Sequence, residues 1–118
     1  ETSDSVLEIE GTYTDPWGSS VEITSDAVTL AGMGKYNVAE FDNGGNWLVA
    51  RHDAANAYFP DLWSRFDWAE HAGDLYLCQI AFADESREAA KDTAKPDATD
   101  PANSGCGGFG WTLLTPAE

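Results

Sequence analysis

The sequence predicts an all-β domain: an antiparallel up-and-down meander of about eight strands closing into a small barrel, with one short helix before the last strand. Three observations predict it. Stretches of period-two alternation recur along the chain, turn signals rich in Gly, Asn and Asp separate them, and only residues 84–93 have helical character.

The elements follow in order. In residues 6–14, Leu7, Ile9, Gly11 and Tyr13 alternate with Glu8, Glu10, Thr12 and Thr14, the pattern of a half-buried first strand. Asp15-Pro16-Trp17-Gly18 turns the chain, because proline fixes φ and glycine accepts a positive one. Val21 and Ile23 mark the returning second strand, and Val28 and Leu30 a third after Ser25-Asp26. Gly32-Met33-Gly34 leads to a fourth strand carrying Tyr36 and Val38, and Asp42-Asn43-Gly44-Gly45-Asn46 to a fifth over residues 47–52. Past the irregular residues 53–61, the sixth strand, 62–70, sets Phe66 and Trp68 against Trp63, Arg65 and Asp67. His71-Ala72-Gly73-Asp74 turns it into a seventh over 75–83, which is apolar on both faces and so is expected to be central or covered on its outer side. In residues 84–93, Ser86 or Asp84 can cap a helix, Glu85 and Glu88 suit its first turn, and Ala89-Ala90-Lys91 favours helix. Residues 95–105 carry two prolines and no periodicity, a loop, and Phe109, Trp111 and Leu113 outline the eighth strand.

Cys78 and Cys106, the only cysteines, stand at the two rims of the acidic insertion 84–105 and predict a disulfide. Closing a loop of roughly 29 residues stabilises a fold by about 3.6 kcal/mol in the chain-entropy model. Such a bridge implies an oxidising compartment, secreted or periplasmic. It is expected to hold the insertion across one end of the barrel. The chain does not begin with Met and shows no basic-then-apolar leader, which reads as a trimmed, exported product, with polar residues 1–5 as a flexible surface tether and residues 6–118 as one domain.

Gly11-Thr12-Tyr13 at the first strand is similar to the Gly-x-Trp motif of small lipocalin-like (calycin-type) barrels, with Tyr in place of Trp, and a helix before the terminal strand resembles their layout. The likeness covers nearly the whole chain. It implies a carrier of a small apolar molecule or a scaffold for protein recognition.

At 118 residues there is room for one core, and 42% hydrophobic with 12% aromatic residues excludes a disordered acidic chain. Six basic against 21 acidic residues give a net charge of −15, spread along the whole length, which makes nucleic acid a poor partner. High salt, divalent cations and a basic partner all suit such a surface. No apolar run reaches the ~20 residues that span a bilayer. His52 and His71 fall on different elements without metal spacing, and Ser64, His71 and Asp67 lack the glycine-flanked serine of a nucleophile elbow, so the reading is a monomeric binding domain and not an enzyme. Asp92, Asp97, Asp100 and Asn103 offer hard oxygen ligands in one loop, a candidate calcium site without EF-hand order. No other cofactor is expected. Two binding modes stand side by side. A small apolar ligand in or at the mouth of the barrel would be lined by Tyr13, Tyr36, Phe66 and Trp68; recognition of an extracellular protein or glycan would use exposed Trp17, Tyr58 or Trp63.

Overall fold

A computed structural model describes residues 6–57 and 59–117, so residues 1–5 and Tyr58, the expected tether and one expected recognition ring, lie outside the described residues. Eight antiparallel strands form a closed barrel in sequence order: β1 (Gly11–Thr14), β2 (Ser20–Ile23), β3 (Ala27–Leu30), β4 (Gly34–Asp42), β5 (Trp47–His52), β6 (Trp63–His71), β7 (Asp74–Asp84) and β8 (Thr112–Pro116). The helix α1 (Arg87–Lys91) precedes β8. The ring is completed by a short seam in which Tyr13 pairs with Pro116 and Thr14 with Thr115. Closure pairs every strand on both sides over at least part of its length.

Alternation sorts the side chains as expected. Tyr13, Val21, Ile23, Val28, Tyr36, Leu48, Ala50, Phe66, Trp68, Leu77 and Leu114 form one buried interior cluster. In an up-and-down barrel the β1–β2, β3–β4, β5–β6 and β7–β8 connections share one end, and the turns at residues 24–26, 43–46 and 72–73 share the other.

The second end is sealed by residues 6–10, which correct the expected first strand. Only residues 11–14 join the sheet. The preceding five cross the end of the barrel, with Leu7 and Ile9 buried in the core and Glu10 N–H donating to the Leu7 carbonyl. Side-chain bonds pin this plug to three turns and strands: Ser25 Oγ accepts from Leu7 N–H, Asn43 accepts from Glu8 N–H and donates to the Val6 carbonyl, and Trp68 Nε1 donates to the Glu8 carboxylate at 2.7 Å. The alternation of residues 6–10 therefore reports burial without pairing.

The disulfide joins Cys78 on β7 to Cys106, with Cα atoms 5.7 Å apart. It does not hold the insertion across an end of the barrel. The insertion packs on the outer wall of β5, β6 and β7, where Tyr76, Cys78, Ala69 and Trp111 form a second buried cluster. This explains why β7 is apolar on both faces: one face meets the interior and the other meets the insertion. Asp84 belongs to β7, so the insertion begins one residue later and the helix is shorter than expected, capped by Ser86 Oγ accepting from Ala89 N–H. The last strand also starts later. Cys106 and Phe109 exchange both backbone bonds in a tight glycine-rich turn, which leaves Phe109 exposed and sends Trp111 outward, so Leu114 supplies the inward side chain.

Ion pairs fasten the insertion. Asp67, fully buried on the outer face of β6, accepts from Arg65 Nε at 2.7 Å and Nη2 at 3.2 Å and from Lys95 Nζ at 3.0 Å. Arg65 Nη1 also donates to the carbonyls of Lys91 and Thr93, so one guanidinium closes the C-terminal end of α1 and binds it to the wall. Glu40 on β4 pairs with Arg87 and Lys91.

Candidate functional site

The interior divides into two halves. Toward the sealed end it is packed with Leu7, Ile9, Tyr13 and Trp68, and the Tyr13 hydroxyl donates to the Ile9 carbonyl. Tyr13 and Trp68, expected as ligand lining, are thus core and plug contacts, although each also borders an open pocket on the outside of that end, of about 290 Å³ beside Tyr13 and about 330 Å³ beside Trp68. Bulk decides this outcome: two large rings and the plug fill a small barrel by themselves.

Toward the open end lies a buried polar group that the sequence does not announce. Ser64 Oγ sits 2.6 Å from His52 Nε2 and accepts from Gln79 Nε2 at 3.0 Å, while Gln79 also hydrogen-bonds the Tyr36 phenol. The Tyr36 ring stands edge-on to both His52, at 4.8 Å, and Phe66, at 5.4 Å. Burial pushes the Tyr36 phenol above its ordinary value, and the Gln79 contact pulls it partly back. The expected irrelevance of Ser64, His71 and Asp67 as a triad follows from the register: Ser64 faces the interior, Asp67 faces the insertion, and His71 is exposed at the end of β6.

Above this group the barrel opens into a cavity of about 120 Å³. Val21, Leu30, Phe66, Leu77 and Leu114 make its apolar wall and floor, and Gln79 and Thr112 add polar atoms. Trp17 and Met33 stand at its lip and are 78% and 55% exposed, large apolar side chains left in water beside a hollow. Asp15 completes the wall. Its Oδ1 accepts from Trp17 N–H and Ser19 N–H, which fixes the β1–β2 turn and aims the indole, while its Oδ2 takes no hydrogen bond from the described residues. Gly18 at φ 85° lets the turn close in that shape.

Of the aromatic residues expected to bind, the cavity uses Phe66 and Trp17; Tyr36 lies beneath it in the polar group, and Trp63 is half-buried on the outer wall with the Arg51 guanidinium 5.9 Å above its ring. Phe59, on the β5–β6 connection at the same end, is 53% exposed. Asp15, Met33 and Gln79 have no motif to mark them. Their meeting depends on topology, because hairpin tips far apart in sequence gather at one end of a meander.

The loop carboxylates are used locally. Asp97 Oδ1 accepts from the Thr99 N–H and hydroxyl, which holds its carboxyl below the ordinary value, Asp100 accepts from Asn103, and Asp92 ends the helix. Among the described residues, no group of three or more His, Cys, Asp or Glu side chains is placed to hold a metal ion. Nor, among them, is any helix long and apolar enough to cross a membrane. Comparison with protein-family models finds no matching family, and comparisons with curated proteins and with solved structures find no match.

Proposed function

We propose that this domain is a non-catalytic binding module that captures a small, largely apolar molecule in the mouth of its barrel. The observation that carries the reading is the cavity under exposed Trp17 and Met33, whose apolar side chains are joined by the polar groups of Asp15, Ser20, Gln79 and Thr112. Its volume limits the guest. Drug-sized ligands occupy pockets of about 300–1,000 Å³, whereas an engineered apolar cavity of about 150 Å³ takes benzene, so about 120 Å³ suits one ring or a short chain. Absence of catalysis is supported by access: the His52–Ser64 pair is sealed below the floor, and neither residue lines the cavity. The disulfide supports residence in an oxidising compartment, and the closed barrel with its Gly11-Thr12-Tyr13 motif supports a likeness to lipocalin-like carriers.

Titration with benzyl alcohol, followed by nuclear magnetic resonance, should move the Trp17 indole N–H and the Leu30, Leu77 and Leu114 methyl signals together. Leu30→Trp, which fills the cavity, should abolish these shifts while the thermal transition stays cooperative. Shifts that survive the filled cavity would place the ligand elsewhere and end the proposal.

Exposure of Trp17 and Met33, with Phe59 on the same end, favours a second reading, recognition of a protein or glycan at the rim. Under that reading Trp17→Ala loses binding on a glycan array or to an extracellular partner, while Leu30→Trp keeps it.

A further inference from the structure

Charge and shape at the mouth narrow the guest further, an inference that rests on the small-ligand reading above. The geometry points to a small organic cation, an ammonium group on an apolar body of about one ring, as the occupant of the mouth cavity. Three features of the site converge on it. The apolar wall of Val21, Leu30, Phe66, Leu77 and Leu114 accepts the body. At the rim, Asp15 is, among the described residues, the sole ionic group in the lining: its Oδ1 is committed to the turn, and neither a cation nor a hydrogen-bond donor among those residues meets its Oδ2. Beside it, the Trp17 indole is mostly in water and offers a π face, the ring type that attracts an ammonium most strongly.

The same inventory argues against an anionic guest such as a fatty acid. No Lys, Arg or His lines the cavity, so a carboxylate would be desolvated there without a countercharge and would approach against a net charge of −15. A neutral guest could offer the Asp15 oxygen only an uncharged hydrogen-bond donor and would bring no charge to the indole face. The surrounding negative field also concentrates cations at the mouth and speeds their arrival.

One ring in three charge states tests the inference: benzylammonium, benzyl alcohol and benzoate, titrated at neutral pH and moderate salt and localised by the Trp17 indole signal. Benzylammonium should bind about tenfold more tightly than benzyl alcohol, the combined order of an ammonium–indole contact and one exposed ion pair, with benzoate weakest. Asp15→Asn retains a carbonyl oxygen for the turn bonds and removes only one of 21 acidic residues, so the global field persists. In that variant the preference should fall to the share of the ammonium–indole contact, about two- to fivefold, with benzyl alcohol changed little. Trp17→Leu should lower benzylammonium affinity more than that of benzyl alcohol. Equal affinity for the cation and the alcohol, or a preference that Asp15→Asn leaves undiminished, would overturn the cation inference and leave mouth capture standing. If none of the three binds at the mouth, capture itself fails.

Discussion

Ser64 does for the interior what no hydrophobic side chain could. It sits at the crossing of β5, β6 and β7, where one hydroxyl meets His52 at 2.6 Å and Gln79 at 3.0 Å, and it thereby lets three polar side chains stay inside the upper barrel. Ser64→Ala should destabilise the fold by about 1–3 kcal/mol, because buried His52 loses the hydroxyl that it meets at 2.6 Å. Chemical denaturation measures this. A Ser64→Thr variant, which keeps the hydroxyl, should recover part of the loss. The group was not legible in the sequence, where Ser64 and His52 look unremarkable, since their meeting needs the cross-strand register that pairs Ala50 with Ser64 and Tyr36 with His52. Phe66 and Trp68 were legible as inward residues, because alternation along one strand is enough to place them.

At the scale of the element, the insertion is an independent layer tied to the wall by charge. Replacing Arg65 with Met strips the buried Asp67 carboxylate of its bidentate partner and leaves Lys95 alone to answer it, a loss on the order of 3 kcal/mol or more. The pair Arg65→Met with Asp67→Leu should restore most of that stability, because an apolar pair of similar volume avoids the cost of desolvating charge. Thermal melting of the two variants checks the contrast. Glu40 adds a pH dependence: its hydrogen bond from Lys91, opposed by partial burial and aided by Arg87, holds its carboxyl below the ordinary value. A depressed folded pKa stabilises above the unfolded pKa of about 4.3 and is lost as the pH falls through the folded one, so this contribution is present at neutral pH and fades in acid. The melting temperature of Glu40→Gln should accordingly lie below that of the parent at neutral pH and converge with it under acid conditions. The sequence foretold the helix and the disulfide and offered Ser86 as one of two caps, each a local or compositional signal. It misplaced the insertion over an end of the barrel, because the choice between wall and mouth is made by Arg65 and Asp67, whose outward face reads like any solvated strand face.

Over the whole molecule, charge is divided unevenly. Four of the six basic residues, Arg65, Arg87, Lys91 and Lys95, are engaged in joining the insertion to the barrel, so the remaining surface is almost purely anionic. The acidity visible in composition is therefore stronger at the surface than the net charge alone conveys. Reducing the Cys78–Cys106 bridge should lower stability by about 3–4 kcal/mol, as denaturant titration with and without reductant would measure. Ligand affinity at the mouth should be unchanged, because no residue of 85–111 lines the cavity. Fold class was readable from the outset because a meander repeats one simple rule, alternation then turn. The mouth was not, since it is assembled from hairpin tips that alternation says nothing about. The first strand marks the limit of the rule, for Leu7 and Ile9 alternate as strand residues do while serving as a stopper.

That stopper fixes a polarity. Val6 stands at the pole opposite Trp17, so a bead linkage made at the Val6 pole would present the hollow to the bulk solution and keep it unobstructed.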